Sequence, residues 1–176
     1  MRRMAVAAAG LLLAGCAPGL APESCAGADW RAVGVADGAD GRGPGFVQEH
    51  VRSCAKVGVR PDAEAWEAGR REGLRSYCTP RNAWELGLAG RPLAEVCPEP
   101  MAAELARVHA AGWRRAQILR AIGDTRADMM FRRRDWQSTP ELDMRLWELE
   151  RLLAETPVPE SVTAEPAPEI TAAPAE

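Results

Sequence analysis

Residues 66–73, WEAGRREG, decide the fold, because they place two glycines one helical turn apart after a tryptophan. Similar spacings recur twice, as Trp30, Gly34 and Gly38, and as Trp84, Gly87 and Gly90. Glycine in a helix costs up to about 1 kcal/mol relative to alanine, so its repeated use predicts helices whose backbones pack closely. The alternative is chance, in a chain that holds 16 glycines.

Start and stop signals around this pattern predict three short helices. One covers Phe46 to Val57 and stops at Gly58, one opens at Pro61-Asp62, and one opens at Thr79-Pro80 and ends near Gly90. Proline and a capping side chain suit a first helical turn, and glycine suits the position after a last one.

The amino-terminal segment predicts export. Arg2 and Arg3 precede an apolar run that ends in Leu13-Ala14-Gly15-Cys16, which is the layout of a signal peptide and is too short to span a bilayer. This ending resembles the bacterial lipobox, which implies that residues 1–15 are removed and that Cys16 is acylated. A plain signal peptide or an apolar core helix is the alternative. Ala17 stands where an inner-membrane retention signal usually has aspartate, so the resemblance implies the outer membrane.

The other four cysteines are Cys25, Cys54, Cys78 and Cys97, an even set that an oxidising periplasm would join in two disulfides. Their spacing is too wide for the close pairs of a metal site. If the helices ending near Cys54 and Cys78 form an antiparallel hairpin, about 25 Å of helix separates these two, far beyond the roughly 7 Å that a disulfide allows. Cys25–Cys54 with Cys78–Cys97, and Cys25–Cys78 with Cys54–Cys97, both remain open. A catalytic thiol beside His50 is a minor alternative.

Composition divides the chain into zones and excludes one class of partner. Removal of Arg2 and Arg3 would leave 20 basic against 25 acidic residues, a balance that argues against nucleic-acid binding. We predict a signal peptide over 1–15, a lipidated cysteine and tether over 16–28, a Cys-, Gly- and Trp-rich domain over 29–98, a helical arm over 99–155 and an unfolded Pro-, Ala- and Glu-rich tail over 156–176.

The middle zone also carries an ordered series of distinctive residues. It runs from Cys25 and Asp29-Trp30 through Asp37-Gly38, His50 and Trp66 to Tyr77-Cys78-Thr79-Pro80, Asn82 and Cys97-Pro98. Over roughly residues 25–100 this series resembles the family called domain of unknown function 2799, small lipoproteins of Gram-negative bacteria. The chain departs from it at Pro92-Leu93, where the family tends to have an aromatic residue. The resemblance implies a fold and a location but no activity.

The helical arm has its own pattern. Met101, Leu105, Val108, Gly112, Leu119 and Ile122 follow one another at spacings of three and four, apart from Arg115, and predict a coiled-coil-like seam. Gly123-Asp124 permits a break. Ser138-Thr139-Pro140-Glu141 resembles a capping box that opens a last helix, with Leu142, Leu146, Leu149 and Leu153 in heptad spacing. The two segments would form a hairpin or pair with another chain.

Few residues suggest chemistry. Asp37 and Asp40 lie in a Gly-rich stretch that lacks the ligand series of a calcium loop and is more typical of a turn. His50 could be combined with Glu49 and Asp29 into an acid–base site, although a lone histidine on an apolar helix face is more often a core residue. The basic cluster Arg132 to Arg134 either touches anionic headgroups or forms a solvated face.

These observations predict a mostly α fold, a small disulfide-stapled bundle of short Gly/Trp-rich helices followed by a coiled-coil-like helical arm. We expect an outer-membrane lipoprotein held by the lipid on Cys16, without cofactor, metal or enzymatic activity. It would serve as a structural or interaction module of the envelope, through an envelope protein or self-association of residues 99–155. The alternative is a cell-wall or small-ligand binding protein or enzyme that uses His50, Asp37 and Asp40.

Overall fold

A computed structural model describes residues 19–134 and 139–164. Within them the chain forms helices and no strand, so the mostly α fold class is confirmed. The α-helices are α1 (Trp30–Ala39), α2 (Val47–Cys54), α3 (Ala63–Tyr77), α4 (Pro80–Leu88), α5 (Met101–Arg134), α6 (Pro140–Ala154) and α7 (Glu160–Thr163). Cys16 and the residues after Ala164 lie outside the described part of the chain. None of the described helices is both long and apolar enough to cross a membrane.

Helices α1 and α3 pack side by side with almost no space between their backbones. Gly34 and Gly38 of α1 face Gly69 and Gly73 of α3, and a β-carbon at any of the four would lie closer than 3.0 Å to backbone of the opposite helix. The close packing predicted from the glycine spacing is therefore confirmed. Both helices begin at an aspartate, Asp29 or Asp62, whose carboxylate accepts two backbone N–H groups of the first turn.

The helix predicted over Phe46 to Val57 is shorter than expected. Its α-helical part, α2, ends at Cys54 and is followed by a 3-10 turn over Ala55–Val57. Gly58 then adopts a left-handed conformation with φ of 71°, as expected of a glycine that ends a helix. The antiparallel hairpin of α2 and α3, which the disulfide argument considered as a condition, is not the main contact of α3, because α3 packs against α1 instead.

Two disulfides fix the ends of these helices. Cys25 is joined to Cys54, with 5.7 Å between the α-carbons, and Cys78 is joined to Cys97, with 5.6 Å. The first of the two predicted pairings is therefore the one formed. The first bond holds the segment before α1 against the end of α2, and the second holds the segment before α5 against the end of α3.

The segment over residues 19–28 differs from the predicted tether. A β-carbon on Gly19 would meet the backbone of Glu49, the backbone N–H of Leu20 donates a hydrogen bond to His50, and Cys25 is buried in its disulfide. Composition alone suggested a loose linker, but one histidine and one disulfide bind this segment to the domain. Within the described residues this segment is therefore packed against the domain from residue 19 onward.

Helix α5 belongs to the domain as well as to the arm. Leu105 and Val108 of α5 are buried with Trp84 and Leu86 of α4 in one core. Gly87 and Gly112 again let the two backbones approach, because a β-carbon on Gly112 would lie 2.6 Å from the carbonyl oxygen of Trp84. The predicted domain boundary at residue 98 therefore divides one core, because residues before it in α4 and residues after it in α5 both contribute to that core.

Helix α5 is continuous to Arg134, without the break permitted at Gly123-Asp124. Its buried positions are Leu105, Val108, Gly112 and Ala116 in the first half, and Ile122, Thr125 and Met129 in the second. At 3.6 residues per turn these two sets point about a third of a turn apart, so α5 presents one face to α4 and another to α6. The single predicted seam is not reproduced, because Met101 and Leu119 are exposed.

Helix α6 runs back along α5, and Ser138, the first residue of the predicted capping box, lies outside the described part of the chain. The N-cap of α6 is Thr139, whose side chain makes no capping hydrogen bond. Leu142 is buried and Leu146, Leu149 and Leu153 are half-buried, so the predicted leucine repeat forms the inner face of α6.

The tail differs from its prediction over one stretch. Helix α7 forms within the zone expected to be unfolded, and Val162 is buried in the core beside α4. Arg115 of α5 holds the preceding turn, since its guanidinium donates to the carbonyl oxygens of Leu153 and Thr156 at 3.3 and 2.6 Å. One apolar side chain and one arginine thus supply contacts that composition did not indicate.

Candidate functional site

Asp37 and His50, two residues of the alternative ligand or catalytic site, are brought together in the interior. The Nε2 atom of His50 lies 2.8 Å from Oδ2 of Asp37, and the indole N–H of Trp66 donates to the same oxygen at 2.7 Å. His50 and Trp66 are 3% and 1% exposed. The three side chains join α1, α2 and α3 through one carboxylate oxygen.

The hydrogen bonds define the protonation of His50. Its Nδ1 atom accepts the backbone N–H of Leu20 at 2.9 Å, so Nδ1 carries no proton in this arrangement. The Nε2–H form then donates to Asp37. In a catalytic Asp–His pair the second ring nitrogen faces the substrate. Here it accepts the main-chain N–H of Leu20, so neither ring nitrogen of His50 is left to face a substrate.

Aromatic rings enclose His50 on several sides. Phe46, Trp30 and Trp66 meet it edge to face, with ring centroids 5.3, 5.9 and 6.3 Å away. This box keeps the His50 ring almost entirely out of the solvent, and the low local dielectric strengthens its hydrogen bond to Asp37. The WEAGRREG stretch therefore supplies both the glycines of the helix contact and a hydrogen-bond donor to its centre.

The other residues considered for acid–base chemistry lie elsewhere. Asp29 caps α1, Glu49 pairs with Arg52, and Asp40 is exposed at the end of α1. The structure therefore does not assemble His50 with Glu49 and Asp29 into a reactive centre. Among the described residues no group of three or more histidine, cysteine, aspartate or glutamate side chains is placed to hold a metal ion.

An ion pair between buried Arg70 and half-buried Glu67, which was not predicted from the sequence, lies beside this centre. Arg70 donates to both carboxylate oxygens of Glu67 at 2.7 and 2.8 Å, and to the carbonyl oxygen of Arg42 at 3.3 Å. Hydrogen bonding from Arg70 lowers the pKa of Glu67 to about 2, and Arg71 adds to the effect against the opposing influence of burial. The i, i+3 spacing of Glu67 and Arg70 is visible in the sequence and is compatible with an ion pair. The burial of Arg70, however, follows only from the packing of α1 against α3.

The Tyr77-Cys78-Thr79-Pro80 stretch forms the turn between α3 and α4. Thr79 caps α4 and Pro80 is its first residue, as predicted. The Asn82 amide donates to the carbonyl oxygen of Tyr77 at 2.7 Å, and the Tyr77 hydroxyl accepts the N–H of Ala94 at 2.8 Å. These residues stabilise the turn between α3 and α4.

A groove lies between the segment before α5 and the first half of that helix. It has a volume of about 700 Å³, and Leu93, Glu95, Glu99 and His109 are among its lining residues. The Nε2–H of His109 donates to the carbonyl oxygen of Arg91 at 2.7 Å. This concave surface contains none of Asp37, Asp40 and His50.

The hairpin of α5 and α6 carries the most exposed apolar side chains of the described residues. Met130 and Phe131 of α5 are 74% and 66% exposed, and Met144 and Trp147 of α6 are 70% and 67% exposed. Arg132, from the predicted basic cluster, pairs with Asp128 and with Glu141. The side chains of Arg133 and Arg134 are outside the described part.

The outer face of α6 is the side opposite its inner leucines. It consists of Glu141, Met144, Arg145, Trp147, Glu148 and Arg151, which together line a shallow depression. Its two apolar residues lie one turn apart and are bordered by side chains of both charges. The inner leucines were predictable from their spacing, but this face was not, because its apolar pair is too short to form a periodic pattern.

Comparison with known proteins adds a family without an assigned activity. The family model described as "Protein of unknown function (DUF2799)" matches residues 29–114. That range contains α1 to α4 and the part of α5 that packs against α4. No curated protein and no solved structure matches the chain.

Proposed function

The chain belongs to the DUF2799 family, and we propose that it is a lipid-anchored protein of the bacterial cell envelope that binds another protein through the hairpin of α5 and α6. The observation that carries this proposal is the exposure of Met130, Phe131, Met144 and Trp147 on that hairpin. The anchor is Cys16, and the location that fits Ala17 is the outer membrane, with the domain in the periplasm.

Exposed methionine and aromatic residues favour a binding surface. Each large apolar side chain that is fully buried contributes roughly 1.5–3 kcal/mol, and tryptophan is prominent among residues that dominate binding energy. The fold buries the indole rings of Trp66 and Trp84 almost completely. It leaves Trp147 in the solvent on a helix whose inner face is already filled by leucines.

The anchored amino terminus would place the domain close to a membrane. Residue 19 is packed against the domain, and only three residue steps separate it from Cys16. Three extended steps reach at most about 11 Å, so a lipid on Cys16 would hold the domain next to the headgroups. The two disulfides suit the same compartment, because disulfides persist in an oxidising periplasm.

The geometry does not favour the alternative that uses Asp37, Asp40 and His50. Both ring nitrogens of His50 are engaged, by Leu20 and Asp37, and the ring is 3% exposed. Asp40 lies on the surface away from this pair's hydrogen bonds. We therefore place the function on the hairpin.

Photo-crosslinking in living cells tests the proposal. A photoreactive phenylalanine analogue would replace Met130, Phe131, Met144 or Trp147, one at a time, in the full chain with its signal peptide. Exposed positions Asp40 and Glu64 serve as controls, since they lie on the α1–α3 side of the domain. Globomycin treatment, which blocks lipoprotein processing, and palmitate labelling test the anchor on Cys16 separately.

We expect the same protein to be captured from at least two adjacent hairpin positions and from neither control. Trp147→Ala should then reduce the crosslink formed from position 144 by tenfold or more, because the indole is the largest apolar group of the outer face. Capture of lipid alone, or equal capture from hairpin and control positions, would contradict the proposal.

A further inference from the structure

The charged residues on the outer face of α6 are ordered so that this face is complementary to the same face of a second, antiparallel copy. Arg145 and Glu148 are both exposed on this face, and Met144 and Trp147 lie beside them. We propose that this face binds the same face of a second copy of this chain, with the two α6 helices antiparallel. The inference rests on the proposed function and names its partner.

Antiparallel pairing requires a two-fold axis across the middle of the contact. If the axis passes between residues 146 and 147, positions whose numbers add to about 293 face each other. Arg145 of each copy then lies opposite Glu148 of the other copy, twice by symmetry. The two Trp147 side chains come together beside the axis, within reach of Met144 of the other copy.

The charge order selects this orientation. In a parallel pair each central residue meets its own counterpart, so the two Arg151 side chains would face each other. In an antiparallel pair, one edge of the outer face of α6 meets the same edge in the second copy. Arg145 of one copy then lies opposite Glu148 of the other copy, so the opposed charges differ in sign. Like charges that lie opposite each other repel, so the charge order on α6 disfavours the parallel pair.

The contact is small, and the proposed anchor compensates for that. One face of a 15-residue helix buries less surface than a stable soluble dimer typically requires. Two copies held on one membrane by their lipids meet at a much higher effective concentration than in solution. We therefore expect association of the lipidated chain at a membrane and only weak association of a soluble form.

A charge-swap experiment tests the pairing. The full lipidated chain would carry the photoreactive analogue at position 144 and would be expressed in cells in two differently tagged copies. Arg145→Glu places glutamates opposite each other, and Glu148→Arg places arginines opposite each other. Each variant alone should lower the self-crosslink at least tenfold. Both substitutions are on the surface, so circular dichroism and thermal melting of each variant should match those of the unmodified chain.

Mixing the variants makes the test specific. A copy with Arg145→Glu and a copy with Glu148→Arg present complementary charges to each other, so co-expression should restore the crosslink between the two tags to within about twofold. A crosslink that neither variant weakens, or that mixing does not restore, would overturn the inference. Capture from position 144 of a different protein alone would also overturn it, while leaving the proposed interaction function intact. Failure of every hairpin position to capture protein would overturn both.

Discussion

Gly38 of α1 lies against the carbonyl oxygen of Arg70 in α3 so closely that a β-carbon at position 38 would overlap with that oxygen. Gly69 of α3 makes the reciprocal contact with the carbonyl oxygen of Arg31 in α1. The two helices therefore lie close enough for backbone to touch backbone. This approach brings Asp37 within hydrogen-bonding distance of Trp66.

Substitution of these glycines should separate the helices. Gly38→Ala or Gly69→Ala introduces a methyl group that can be accommodated only if the two backbones move apart. We therefore expect a loss of several kcal/mol in the free energy of unfolding. This exceeds the 1–3 kcal/mol typical of overpacking, because the neighbouring atoms are backbone and cannot rotate away. Urea denaturation followed by circular dichroism measures it.

Gly123→Ala is the matched control. Position 123 is in the middle of α5, and a β-carbon there would meet no atom of another element within 4 Å, so alanine should stabilise the chain by up to about 1 kcal/mol through helix propensity. An equal effect of alanine at positions 38 and 123 would contradict the close approach of α1 and α3.

The glycine spacing, which is a local signal, predicted that helix backbones pack closely at these segments, but it did not predict that α1 is the partner of α3. The sequence also predicted the caps at Thr79-Pro80 and the stop at Gly58, which depend on neighbouring residues. It did not predict the burial of Arg70 or the attachment of Leu20 to His50, because each depends on helices far apart in the chain. The same limit explains α7, since one valine among prolines and alanines becomes part of a core only when α4 is beside it.

Asp37 should matter for stability more through its acceptor oxygen than through its charge. Asp37→Ala leaves the N–H groups of Trp66 and His50 buried without an acceptor, at a cost of roughly 1–3 kcal/mol each. Asp37→Asn retains an oxygen that accepts both, so it should cost less than Asp37→Ala. Asp40→Asn, at an exposed position of the same helix end, should change the free energy of unfolding by less than about 0.5 kcal/mol. An Asp37→Ala variant as stable as Asp40→Asn would refute this assignment.

Glu67 should make the fold sensitive to acid in a defined range. Its pKa is lowered in the folded state from an ordinary 4.5 to about 2, chiefly by the hydrogen bond from Arg70. The stabilisation is therefore complete above pH 4.5 and is lost as the pH falls towards 2. The difference in unfolding free energy between the unmodified chain and Glu67→Gln should be constant above pH 5 and shrink below 4.5.

Carbon-13 titration of the Glu67 carboxylate checks the cause of this shift. Arg71→Met should leave the pKa of Glu67 below 4.5, because Arg70 makes the larger contribution and is unchanged. Titration of Glu67 near 4.5 in the unmodified chain would show that the Arg70 contact does not form in solution.

The two disulfides should stabilise different parts of the molecule. Peptide mapping without reduction should recover Cys25 linked to Cys54 and Cys78 linked to Cys97. Replacing either pair by alanine should cost roughly 2–5 kcal/mol. Hydrogen exchange should then rise mainly in residues 19–28 when Cys25 and Cys54 are replaced, and mainly in residues 91–99 when Cys78 and Cys97 are replaced. Recovery of Cys25 linked to Cys78 would contradict the fold.

His50 should hold the amino-terminal segment onto the domain. Nitrogen-15 NMR should find His50 with its proton on Nε2, because Nδ1 accepts the N–H of Leu20. His50→Phe keeps an aromatic ring in the box of Phe46, Trp30 and Trp66 but offers no acceptor, so exchange of the Leu20 amide should accelerate at least tenfold. Exchange in α4 and in the first half of α5 should stay unchanged, since their core does not contact this ring. A proton found on Nδ1, or a Leu20 amide equally protected in both proteins, would mean that the segment is held by the Cys25–Cys54 bond alone.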